Sequence, residues 1–251
     1  SVYSDAVLQM LMQSPHLELV GIVASTRILS KKRWLWWDAV RLVRKTGLRY
    51  ATYLWFITTL YSLLRRLMTD AASNWKLRVT VHATRDINSS SSLSFIKSLQ
   101  PDLLLSAHFN QLIGAELLGL PPQGCLNIHP GKLPEYKGVD PVVRALDRGE
   151  SRVGVTLHRL DQGFDTGNVL ATAECAVTAS DTLFSLNLGL FRSGAQLLLD
   201  KLANGGVLPP GEPQQLDPRY DSWADANDVA RLRMAGRGLL DLQEWWGCLR
   251  G

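Results

Sequence analysis

DLLLSAHFNQLIGAELLGLPPQGCLNIHP, residues 102–130, decides the fold. Residues 102–107 are a short apolar run, residues 112–120 read as a helix, and residues 125–129 are a second apolar run. Two buried strands separated by a helix form a unit that lays its strands parallel and covers the sheet with helices. The pattern continues upstream. LELVGIVA (17–24) and LRVTVHA (77–83) read as strands, and the serine run Ser89–Ser92 caps a helix over 92–100. Downstream, a helix over 141–147, strands over 153–158 and 168–177, and a long helix over 181–203 ending at Gly205–Gly206 are expected. The fold class is therefore α/β, an open, mostly parallel, Rossmann-like sheet with helices on both faces. Composition changes at Pro209, which divides the chain into a main domain over 1–205 and a tail over 206–251, with a short helix over 224–235 capped by Ser222.

A chain of 251 residues, 46% of them hydrophobic, buries one full core. A net charge of +4 favours an anionic ligand but is far from a nucleic-acid signature, so no nucleic acid is expected as a partner. The three cysteines, Cys125, Cys175 and Cys248, form no CxxC pattern, which fits buried thiols in a reducing, cytoplasmic compartment. No basic and apolar leader opens the sequence, and no His/Cys/Asp cluster has metal-ligand spacing.

In an open α/β sheet, ligands sit beyond the carboxyl ends of the parallel strands. Asn127 and His129 stand there, one residue apart and so on one face of their strand. Such a polar pair either ties down the next loop or does chemistry. A second stretch, GVTLHRLDQGFDTGNVL (154–170), ends a strand at His158 and carries Asp161 and Asp165 on a loop that turns at Gly163 and Gly167. Asp165 is then in reach of His129. An amide, an imidazole and a carboxylate around one cleft suit acyl transfer: the amide donates to a developing oxyanion, the imidazole moves or stabilises charge, and the carboxylate orients it. No nucleophile motif is present, so the acceptor itself attacks.

NIHPGKLPEYKG (127–138) together with 154–170 resembles the formyltransferase domain shared by methionyl-tRNA, glycinamide ribonucleotide and sugar N-formyltransferases. The shared pattern is Asn127, His129, Pro130, Leu133, Pro134, Lys137, Gly138, His158 and Asp165. The resemblance implies catalytic roles for Asn127, His129 and Asp165 and 10-formyltetrahydrofolate as formyl donor. It implies donor contacts from Phe109, Asn110, Gln111, Leu112 and Ile113, with Asp161, Gly163 and Phe164 facing them. The partners are then a folate donor and a primary amine on a small or lipid- or sugar-linked acceptor. Gly131 and Lys132 replace the family's usual Ser-Leu. The opening SVYSDAVLQML resembles the turn and helix after the family's first strand, so a sheet lacking that strand, with a gap beside 102–107, is expected. Two other readings stay open: a 10-formyltetrahydrofolate hydrolase with the same three residues, and an inactive, truncated formyltransferase-like module for binding or membrane association.

Residues 30–70 form an insertion. Nine Lys/Arg and one Asp lie between Lys31 and Arg66, Trp34, Trp37, Val40, Leu42 and Val43 fall imperfectly on one helical face, and the apolar stretch 50–64 is too short to span a bilayer. Helices packed as a lid or dimer face, an interfacial pair at the inner face of an anionic membrane, and a basic wall for a phosphorylated acceptor all fit.

Overall fold

The computed structural model describes residues 1–27, 35–68, 79–203, 206–215 and 219–250, with side chains of 35–37 set aside. The basic run Lys31–Trp34 and the expected helix stop at Gly205 lie outside these residues. Elements follow in the order α1 (Val2–Met12), β1 (Ile22–Ser25), α2 (Leu35–Thr46), α3 (Leu48–Trp55), a π-helical turn (Phe56–Leu60), α4 (Tyr61–Met68), β2 (Val81–Thr84), α5 (Ser90–Leu99), β3 (Leu104–Ala107), α6 (Ala115–Leu118), β4 (Cys125–His129), α7 (Pro141–Asp147), β5 (Arg152–Arg159), β6 (Val169–Ala176), α8 (Leu183–Ala203), α9 (Ala226–Met234) and α10 (Leu242–Arg250).

The strands form two sheets. β1 and β2 pair in parallel, and a four-stranded sheet runs β3-β4-β5-β6, parallel between β3 and β4 and antiparallel thereafter. The division falls beside β3, where the sequence reading placed a gap. No ladder joins β1 to β3 among the described residues. Side chains link them instead. Asn110, beyond β3, accepts from Ser25 Oγ at 2.7 Å and donates to the Arg27 carbonyl at 2.7 Å, and Gln111 donates to Ser25 Oγ at 2.8 Å. Val23 and Leu104 pack on one small cluster around Ile87, Ile96, Ile113 and Leu117.

The main core lies between the four-stranded sheet and α8. Val153, Val155 and Leu157 of β5 and Leu126 and Ile128 of β4 are buried, which is why these strands read as apolar runs. Gly194 lets α8 approach them, since a Cβ there would stand 2.3 Å from Ile128. Phe184 and Phe191 of α8 pack on Tyr3 of α1, and Ser4 Oγ donates to the Ala107 carbonyl at 3.1 Å. Each fully buried Leu or Phe contributes about 1.5–3 kcal/mol.

The insertion and tail belong to this core. Tyr50, Tyr53, Ile57 and Tyr61 point inward from α3 to α4, and Leu208, Val229, Leu232, Trp245 and Leu249 join from the tail. Asp140 knits three segments: Oδ1 accepts from Tyr50 at 2.5 Å and Oδ2 from the Ala224 backbone at 2.6 Å. Burial pushes its carboxyl above the usual range. The tail helix is capped by Asp225 in a capping box with Asp228, three residues beyond the expected Ser222, because Asp225 offers its carboxylate to the first free amides. A second tail helix, α10, has no counterpart in the sequence reading.

Candidate active site

Asn127 lies in β4 opposite His158 in β5, and His129 ends β4 opposite Thr156. The register puts all four side chains at one sheet edge. His158 Nδ1 is 2.8 Å from the Arg159 carbonyl, so Nδ1 carries the proton and Nε2 is an acceptor. The Asn127 amide nitrogen donates to it at 3.2 Å. This fixes the amide orientation and leaves the second N–H of Asn127 for another acceptor. Burial, chiefly, and then the neighbouring His129 lower the His158 pKa to about 4, so it stays neutral and keeps accepting near neutral pH.

His129 is buried and its Nε2 lies 2.7 Å from the Tyr136 carbonyl, to which it must donate. Its working nitrogen is therefore Nδ1. Asp165 Oδ1 lies 3.5 Å from His129 Nδ1 and 3.8 Å from His158 Nε2. At these separations neither is a tight hydrogen bond. Thr156 Oγ1 donates to the Gly131 carbonyl at 2.7 Å and accepts from Leu133 at 3.1 Å, which pins the loop after His129. A Cβ at Gly131 would lie 2.6 Å from Pro141 and 2.8 Å from His129 Nε2, so this loop is packed around glycine.

Asp165 sits at φ +55°, in the left-handed region. Two contacts hold it there. Its Oδ2 accepts from the Gly138 amide at 3.1 Å, and Gln214 Nε2 donates to the carbonyls of Asp165 at 3.1 Å and Gly167 at 2.6 Å. Gln214 comes from the tail, which also exchanges backbone hydrogen bonds of 3.0 Å with the loop after His129 through Asp221, Lys137 and Val139. Gly138 is required at that crossing, because φ is +121° and a Cβ would meet the Asp221 carbonyl at 2.0 Å.

The structure thus brings Asn127, His129 and Asp165 to one sheet edge and adds His158 and Gln214, which the sequence reading did not place in the site. His158 was visible as a strand end but gains its role from the antiparallel register. Gln214 carries no local signal.

The family profile described as Formyl transferase matches residues 72–202. The chain belongs to the formyl transferase family. Among curated members, the methionyl-tRNA formyltransferase of Thermotoga neapolitana is 36% identical over 124 residues, 48% of this chain and 40% of the relative. That of Halorhodospira halophila is 36% identical over 146 residues, 54% of this chain and 46% of the relative. The chain thus spans less than half the length of these two relatives. Phosphoribosylglycinamide formyltransferase from Bacillus halodurans shares the fold, with a TM-score of 0.52 at 20% identity over 80% of this chain and 88% of that one. So does the formyltransferase PseJ from Anoxybacillus kamchatkensis, solved with a UDP-linked formamido sugar and tetrahydrofolate, with a TM-score of 0.50 at 23% identity over 70% and 88%.

Within this formyl transferase chain, the residues expected at the donor divide by what they touch. Ile113 is buried, and Phe109 and Leu160 pack on the same cluster, so the loops after β3 and after β5 meet there. Leu112 and Phe164 expose 43% and 56% of their surface. Gln111 Oε1 accepts from Ile87 at 2.8 Å, and the Asn110 and Gln111 amides bind the β1 end as described. Asp161 Oδ1 accepts from Gly163 at 3.0 Å and Thr166 at 2.7 Å, which builds its own turn. A separate cavity of about 480 Å³ lies beyond the Pro130–Gly131 turn, lined by Lys132, Tyr136, Arg148, Arg152 and Glu174. Lys132 and Arg152 both pair with Glu174 at 3.0 Å, so that cavity is charged and self-satisfied, and the triad does not line it.

Proposed function

We propose that the protein transfers a formyl group from 10-formyltetrahydrofolate to a primary amine of a small or sugar- or lipid-linked acceptor. One observation carries this reading: Asn127 N–H, His129 Nδ1 and the Asp165 carboxylate converge at the sheet edge with no serine or cysteine nucleophile among them. The bound donor supplies a formyl carbonyl, already attached to nitrogen and open to attack by an amine. The chain's residues fit it. Exposed Leu112 and Phe164 offer an apolar wall to a ring, and Gln214 Oε1 is a buried acceptor without a partner beside the Asp165 turn, open to an N–H or a water.

The free N–H of Asn127 donates to the carbonyl oxygen as negative charge builds on it. His158 holds that N–H in place by occupying the other one. As the amine attacks the formyl carbon, the Asp165 carboxylate takes up the proton that it sheds, and His129 Nδ1 beside it passes that proton on to the folate nitrogen as that nitrogen's bond to the formyl carbon breaks. Burial of His129 and His158 strengthens each of these interactions. The acceptor classes to test are those of the relatives and fold neighbours: methionyl-tRNA, glycinamide ribonucleotide and nucleotide-linked amino sugars.

The experiment is direct. The purified chain is given 10-formyltetrahydrofolate with each amine, and tetrahydrofolate release and amine mass are followed. Amine-dependent release with a mass gain of one formyl group supports the reading. Release of formate without any amine identifies a hydrolase instead.

A further inference from the structure

The helical insertion presents a surface that neither the sheet edge nor the core uses. From α3 through the π-helical turn to α4 the helix runs 48–68. Its inward face carries the buried tyrosines and Ile57. Its outward face carries Leu48, Trp55, Leu63, Leu67 and Met68, exposed by 69%, 47%, 53%, 73% and 43%. Positions 48, 52, 55, 59, 63 and 67 follow helical spacing, so the large apolar groups share one stripe, with Thr52 and Thr59 between them. Over 21 residues that stripe is about 30 Å long.

Cations frame it. Arg41, Arg44 and Lys45 on α2, Arg49 on α3 and Arg66 on α4 are all exposed, and no carboxylate pairs with them among the described residues. The one acidic residue in 35–68, Asp38, is buried. α10 extends the same character. Trp245 Nε1 donates to the Phe56 carbonyl at 3.3 Å and Arg65 to the Leu249 carbonyl at 2.8 Å, which seats α10 on the insertion. Its outer residues Leu242 and Trp246 are 61% and 40% exposed, and the Arg250 guanidinium lies 5.6 Å from the Trp246 ring centre.

We infer that the outer face of α3, α4 and α10 docks onto an anionic lipid bilayer, lying in the plane of its surface. Tryptophan and leucine on one side, with unpaired arginine and lysine around them, are the composition of an interfacial helix. Charge selects this occupant over a second copy of the chain. A symmetric dimer through this face would set five unpaired cations against five more, while the only carboxylates on α2, α3, α4 and α10 are the buried Asp38 and the half-buried Glu244. Anionic headgroups supply the missing charge, and the acyl boundary takes the tryptophans and leucines. No described helix is long and apolar enough to cross a membrane, which leaves in-plane seating. This inference does not rest on formyl transfer, because vesicle binding requires no turnover.

The test uses the full 251-residue chain and vesicle flotation with phosphatidylcholine alone or mixed with phosphatidylglycerol. Binding to the mixed vesicles only, released at about 1 M salt, is expected. Arg44→Gln/Lys45→Gln/Arg49→Gln should weaken it about a hundredfold, at roughly fivefold per charge. Trp55→Ser/Leu63→Ser should weaken it as well, with unchanged circular dichroism and melting in both variants to show that they fold. Equal binding to both vesicle types, or binding to neither, overturns the inference. So does a dimer in light scattering that Trp55→Ser/Leu63→Ser dissolves, because the face then belongs to a second copy.

Discussion

The side-chain amide of Asn127 donates to His158 Nε2 at 3.2 Å across paired strands, and the imidazole is held in that tautomer by the Arg159 carbonyl. The consequence is that one N–H of Asn127 is aimed at the cleft and cannot rotate away without orphaning a buried acceptor. His158→Phe removes the acceptor while keeping a ring. It should lower kcat by about 10²-fold, the scale for misplacing a charge-stabilising group. His158→Gln, whose carbonyl oxygen can still accept, should recover part of the loss. Steady-state kinetics on both variants check this; equal loss in the two would mean that ring packing alone matters.

The same histidine sets a pH dependence of stability. Burial holds its folded pKa down to about 4, below the ordinary histidine value of 6.5, so the unfolded chain takes up a proton first as pH falls. Its contribution is therefore complete above about pH 6.5 and declines as pH drops toward 4, with a slope of at most about 1.4 kcal/mol per pH unit. Urea unfolding at a series of pH values should show this decline, and His158→Phe should flatten it.

Gln214 reaches the site from the tail and holds the Asp165 turn through two backbone carbonyls. Gln214→Glu keeps the shape but loses the donor. It should lower kcat about tenfold with little change in donor KM, since the carboxylate of Asp165 would no longer be held at its positive φ. A melting temperature within a few degrees of wild type would separate positioning from unfolding.

Asp140 joins α3, the loop before α7 and the tail at one buried carboxylate. Asp140→Ala leaves the Tyr50 hydroxyl and the Ala224 amide unsatisfied and should cost about 3 kcal/mol, read from urea unfolding. Tyr50→Phe removes one partner only and should cost less.

Much of this architecture was legible. β4 and α7 fall where the apolar run 125–129 and the Pro-led helix 141–147 were expected, because both are bounded by glycine, proline and caps within a few residues. The ends of β1 and β3 were drawn too long, since apolar residues beyond a ladder read like strand. The expected helix over 112–120 shrinks to Ala115–Leu118, because Asn88 holds the Gly114 amide at 2.7 Å and the Leu112 carbonyl at 2.9 Å, a contact between loops that no local pattern announces. The site divides the same way. Asn127, His129 and Asp165 stood out as polar residues at strand ends and on a glycine loop. The register that pairs Asn127 with His158, and the return of the tail to Asp165, are long-range and leave no periodic trace.

The central claim is that this chain moves a formyl group with Asn127, His129 and Asp165. The most direct measurement is amine formylation by wild type and by His129→Ala at saturating donor and acceptor, alongside donor binding by calorimetry. Formyl transfer by the wild-type chain, a drop of about 10²-fold or more in the variant, and donor binding of similar strength in both are predicted. Wild-type turnover that persists unchanged in His129→Ala, or a wild-type chain that binds the donor yet formylates none of the tested amines, would contradict it.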